Sequence, residues 1–113
     1  MASHTTTTKL VESLLELSRA GKLSWRETGD ERAFVVLLPK FTVSITQTRG
    51  TDRYVLRVVD EADRVIEEVS ETLITEATEG WRKLRDLHEL ARRSAVHADQ
   101  AISDLLASLE KIS

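Results

Sequence analysis

The sequence predicts an α+β domain: an N-terminal helix, an antiparallel meander of four or five short strands, a long amphipathic helix packed on the sheet, and a short C-terminal helix. Three observations lead there. Residues 75–95, TEATEGWRKLRDLHELARRSA, carry Ala77, Trp81, Leu84, His88, Ala91 and Ala95 at alternating spacings of four and three, with Leu87 and Leu90 widening the stripe. That period is an amphipathic helix, and its stripe must cover something apolar. Residues 34–69 supply the cover, because apolar and polar positions alternate there with the period of a one-sided sheet. The links between these alternating runs are too short for a crossover helix, which favours hairpins over a parallel sheet.

Taken in order, residues 1–8 form a small polar lead containing Ser3, His4 and four threonines, expected to be flexible at its start. Residues 9–113 are expected to make one domain, since a chain of 113 residues is near the usual domain size. Over residues 9–20, Leu10, Val11, Leu14, Leu15 and Leu17 share a helix face opposite Glu12, Ser13, Glu16 and Arg19, and Gly21 stands where a glycine ends a helix. Residues 23–28 are a short candidate strand bearing Trp25, followed by a Gly29-Asp30 turn signal. Residues 33–38 are apolar on both faces, as in a strand inside a sheet, until Pro39 ends the ladder.

Phe41, Val43 and Ile45 then alternate with Thr42, Ser44, Thr46 and Thr48, the cleanest period of two in the chain. A turn at residues 49–53 leads to Tyr54, Leu56 and Val58 alternating with Val55, Arg57 and Val59, and a second turn at 60–63 leads to a last strand over 64–70. After the long helix, residues 96–99 (Val-His-Ala-Asp) interrupt the pattern. Asp99 is the expected N-cap of a final helix bearing Ile102, Leu105, Leu106, Leu109 and Ile112. The same residues would also fit a kinked continuation of the preceding helix.

Composition narrows the function classes. The chain has no cysteine, which excludes disulfides and thiolate metal sites and makes the cytoplasm the default setting. The longest run of large apolar residues, 34–38, is far short of the roughly twenty needed to span a bilayer. Sixteen basic against nineteen acidic residues give a net charge of −3, and only five residues are aromatic. Neither figure suits a protein built to hold phosphate backbone or stack bases.

Catalytic signatures fail one by one. His88-Glu89 opens like a zinc-protease motif, but that motif needs a second histidine on the same helix face at 92, where Arg stands. No serine lies in a Gly-x-Ser-x-Gly elbow, and the four glycines are scattered singly. The carboxylate pairs Asp30-Glu31, Asp60-Glu61 and Glu67-Glu68 fall in turns or on opposite faces of a strand. The reading is therefore a non-enzyme without metal or cofactor.

Two surfaces remain. The five aliphatics Ile102, Leu105, Leu106, Leu109 and Ile112 form one face after the sheet and two helices have already met, so they either fold back beside residues 9–20 or meet a partner. The second surface is an arginine band, Arg82, Arg85, Arg92 and Arg93, interrupted by Glu89, in which Arg82 can pair with Asp86 and Arg85 with Glu89 at i to i+4. The expectation is a cytoplasmic protein-interaction module, an adaptor or regulatory subunit, that forms a homodimer through the last helix and does not enter membranes. A nucleic-acid-associated regulator using the arginine band is the alternative, disfavoured by the net charge.

Overall fold

A computed structural model of the chain describes residues 2–50, 53–70 and 77–112. Helix α1 (Ala2–Arg19) leads into strands β1 (Arg26–Glu27), β2 (Ala33–Leu38), β3 (Phe41–Gln47), β4 (Tyr54–Asp60) and β5 (Val65–Val69), then helices α2 (Ala77–Ala95) and α3 (Ala98–Ile112). The strands pair antiparallel in chain order, β1-β2-β3-β4-β5. This is the α+β meander that the alternating runs predict.

Helix α1 begins upstream of the apolar period that marks it in the sequence, so the threonine run is helical. Thr7 is buried and stands four and seven residues before the buried Val11 and Leu14, which extends the stripe by a turn in spite of the weak helix propensity of threonine. Gly21 ends the helix as expected. Its φ of 71° is left-handed, and the N–H groups of Gly21 and Lys22 bond back to the carbonyls of Ser18 and Leu17 at 3.1 and 2.9 Å, the paired bonds of a Schellman stop.

The strand expected over 23–28 shrinks to Arg26–Glu27, for a reason visible at Trp25. Its backbone N–H donates to Ser94 Oγ at 3.1 Å, its indole Nε1–H donates to Ser18 Oγ at 3.0 Å, and Ser94 Oγ donates to the Leu23 carbonyl at 3.3 Å. Trp25 is buried, and these bonds clamp the segment after α1 onto the last turn of α2 instead of extending the ladder.

The β2–β3 hairpin closes through Pro39 and Lys40, with Leu38 opposite Phe41. Lys40 takes a left-handed φ of 70°, unusual for a side chain with a Cβ. The β4–β5 link is organised by Asp60, whose carboxylate accepts the backbone N–H groups of Ala62 and Arg64 and the Arg64 guanidinium. A bulge lies just before Asp60, between Val58 and Val59.

The core lies between the sheet and the helices. Phe34, Val36, Val43, Ile45, Tyr54, Leu56, Val58 and Val69 face Leu84, Leu87, Ala91 and Ala95 of α2 and Val11, Leu14 and Leu15 of α1. Helix α2 touches β1 through β4 and lies against α1. Trp81, a member of the apolar stripe, is only half-buried, at the edge of the core with the Arg85 guanidinium 4.9 Å over its ring. Thr75 and Glu76, which the sequence includes in the long helix, lie outside the described residues. The radius of gyration is 15.8 Å, against about 13 Å for a compact chain of this length, and the longest dimension is 60 Å against 33 and 28 Å across. Helix α3 accounts for the difference, since it projects from the body.

Candidate interaction surface

Helix α2 ends at Ala95, and the chain breaks direction at His97, which has φ 52°. The Val96 N–H still bonds to the Arg92 carbonyl at 3.0 Å and the His97 N–H to that of Ser94 at 3.2 Å, while the His97 carbonyl accepts the Ala101 N–H at 3.0 Å. His97 therefore closes one helix and opens the next. It occupies the N-cap position of α3, which corrects the expectation for Asp99. Asp99 sits instead in the first turn, where its carboxylate meets the positive end of the helix dipole and takes the Arg93 guanidinium at 2.6 Å across the break.

Beyond that bridge α3 has no buried residue. Ile102 is 48 % exposed, Leu105 57 %, Leu106 57 %, Leu109 51 % and Ile112 82 %. At about 100° per residue, Ile102, Leu105, Leu109 and Ile112 form a straight seam with Leu106 on its flank. The fold-back arrangement beside residues 9–20 is thus not the one adopted. An isolated helix of about fifteen residues is marginal in water, and this one has its apolar face open.

The arginine band is largely neutralised by carboxylates of α2 and of the first turn of α3. Arg85 pairs with Asp86 at 3.0 Å, Arg92 with Glu89 at 2.7 Å, and Arg93 with Asp99. These stand where pairs of Arg82 with Asp86 and Arg85 with Glu89 were expected from i to i+4 spacing, and Arg19 of α1 also approaches Asp86, at 3.9 Å. The Glu89 carboxyl is held below the usual carboxylate range by the hydrogen bond from Arg92, reinforced by the charges of Arg92 and Arg93, and the same bond raises Arg92. Three of the four arginines are committed to carboxylates, which leaves little potential for phosphates.

His88 is occupied by the fold. Its Nε2–H donates to the Arg32 carbonyl at 2.8 Å, and its ring packs 5.3 Å from Phe34 and 5.2 Å from Tyr54. Among the described residues no three His, Asp or Glu side chains are grouped to share a metal. Of the paired carboxylates, Asp60 is the turn organiser, drawn below its ordinary range chiefly by the Arg64 N–H and further by that of Ala62, and Glu68 pairs with Arg57 at 2.9 Å across β4 and β5.

Clefts also mark the surface of the described residues, two of them near the elements above. One, of about 390 Å³, lies at the base of α3 between Ser18, Leu23, Trp25, Leu90, Arg93 and His97. Its inner hydroxyls, Ser18 and Ser94, are already bonded to Trp25 and Leu23. The other, of about 360 Å³, lies on the sheet face away from the helices, where the predicted polar row brings Ser44 and Thr46 beside Arg57. Leu37, Val65 and Ile66 are exposed at the sheet margins, a contribution of the hairpins and the bulge that alternation alone does not reveal. Among the described residues no helix is long and apolar enough to cross a membrane. Comparisons with protein-family models, with curated proteins and with solved structures return no match.

Proposed function

We propose that this protein is a non-catalytic interaction module, an adaptor or regulatory subunit, that self-associates through α3. The observation that carries the reading is the seam Ile102, Leu105, Leu109 and Ile112 with Leu106 beside it, held outside the core on a helix that has no buried residue. Each side chain is worth roughly 1.5 to 3 kcal/mol on full burial, a large driving force to leave in water. A face repeated on identical chains is self-complementary under a two-fold axis, so a second copy is the simplest cover. The cytoplasmic setting expected for a cysteine-free sequence belongs to the same reading.

The helix separates its function from the fold. Glutamates at the seam should abolish association and leave the body intact, because the core is built from α1, α2 and the sheet. Light scattering at tens of micromolar is expected to give twice the 12.7 kDa chain mass for wild type and the chain mass for Leu105→Glu with Leu109→Glu. A wild type that stays at the chain mass would remove self-association from the account. The nucleic-acid alternative draws on Arg82, Arg85, Arg92 and Arg93, and the ion pairs of the last three count against it.

A further inference from the structure

The seam has an order that specifies more than association. Read outward from Ala107, it runs Leu105 and Leu109, then Ile102 and Ile112, so the helix presents the same side chains at the same spacings in both directions. We propose that two copies pair their α3 helices antiparallel about a two-fold axis crossing the seam at the level of Ala107, with Ile102 opposite the second copy's Ile112 and Leu105 opposite its Leu109. This deepens the self-association proposed above and rests on it.

Four features select the antiparallel pair. First, α3 has no buried residue, in a molecule 60 Å long and about 30 Å across. Packed helices sit about 8–10 Å apart. Parallel helices crowd two bodies of that width at the same end, whereas antiparallel helices put them at opposite ends. Second, in a parallel pair the first heptad would have Ile then Leu at its two seam positions and the second heptad Leu then Ile, which favour different numbers of strands. Reversal removes the conflict, because every layer then joins one position of each kind.

Third, Leu106 lies on one flank of the seam. In an antiparallel pair that flank faces its own mate, so the two Leu106 side chains meet beside the axis; in a parallel pair each would face the small Ala101 flank. Fourth, antiparallel alignment sets the helix dipoles head to tail.

The size of the contact also fits a second copy. The exposed parts of the five aliphatics come to roughly 500 Å² per chain, so a pair removes about 1,000 Å² from water, at the threshold for a specific interface and only if all five are covered. The charged Asp99, Asp104, Glu110 and Lys111 lie about 100° or more from the seam centre and repel nothing across it. With three acidic residues and one lysine, this helix is poorly suited to an anionic lipid surface, which selects basic polar faces.

Disulfide trapping tests the register, and the absence of native cysteine makes every crosslink assignable. Equal amounts of Ile102→Cys and Ile112→Cys are mixed in a glutathione redox buffer. The antiparallel pair brings unlike cysteines together and holds like ones about 15 Å apart along the axis, beyond disulfide reach. The mixed 102–112 disulfide is expected well above its statistical share. Homodisulfides in excess would show a parallel pair, and a statistical mixture would show no fixed register; either result overturns the proposal while leaving self-association standing.

A spin label at Gln100→Cys, on the far side of the seam, checks the same point with the aliphatics intact. Antiparallel helices offset the labels by about 21 Å along the axis and put them beyond about 30 Å, while parallel ones leave no axial offset and keep them within about 25 Å. A chain that is monomeric in mass would instead remove the self-association on which the register depends.

Discussion

Leucine to alanine at two positions, one in the body and one on α3, should separate what folds this protein from what associates it. Leu84 is fully buried where α2 meets the sheet. Truncating it removes buried methyl groups and leaves a cavity that the surrounding strands cannot fill, at about 3–4 kcal/mol. That is a large part of the roughly 5–15 kcal/mol that stabilises a typical domain. Leu105 is 57 % exposed on a helix with no buried residue. In the single chain its truncation removes little burial, and alanine is the better helix former, so the change should stay within about 0.5 kcal/mol.

Urea melts followed by tryptophan fluorescence measure both, since Trp25 and Trp81 report on the body. At low micromolar concentration Leu84→Ala should lower the midpoint strongly and Leu105→Ala hardly at all. At tens of micromolar the wild-type midpoint should rise, because association stabilises the folded chain by mass action, and Leu105→Ala should lose that rise. If Leu105→Ala costs as much as Leu84→Ala at the lowest concentration, α3 is packed within its own chain and the reasoning fails.

Three further outcomes follow from the geometry. Trp25→Ala should destabilise by about 3–5 kcal/mol in the same melts, since the ring is buried and its Nε1–H is bonded to Ser18 of α1; a loss below about 1 kcal/mol would remove it from the core. Lys40→Gly should stabilise by about 0.5–1 kcal/mol, because the left-handed φ of 70° strains lysine and suits glycine; a loss of stability would mean that the lysine side chain contributes more than the strain. The depressed Glu89 carboxyl stabilises the fold above its ordinary value of 4.5, and this share is lost as pH falls through the lower folded value. Melts of Glu89→Gln should show a deficit of a few tenths of a kcal/mol near neutrality that vanishes in acid; a deficit constant with pH would place the effect elsewhere.

Much of the fold was legible because its signals are local. The period of two over 41–47, the short links and Gly21 each depend on nearby residues, and strands β2 to β5 and the end of α1 lie where these place them. The misjudgements come where tertiary contacts override local preference. Thr7 is drawn into α1 by the core, Trp25 leaves the strand ladder for Ser94 of α2, and Trp81 gives up the central place to Leu84 and Leu87. The aliphatic face of α3 was readable from spacing, but its position outside the body was not, because it depends on the left-handed turn at His97. The ion pair of Arg93 was likewise beyond counting along one helix, since it uses Asp99 across a helix break, as was the approach of Arg19 to Asp86 from another helix.

Amide hydrogen exchange along α3, measured as a function of protein concentration, tests most directly whether a second copy covers it. Alone, a helix of about fifteen residues opens readily and its amides exchange fast. The account predicts that α3 amides are weakly protected at low micromolar concentration and gain protection at tens of micromolar, while amides of β3, β4 and α2 are well protected at both. Protection of α3 that is equally strong at every concentration would place its cover within the chain, and fast exchange at every concentration would mean that no second copy binds.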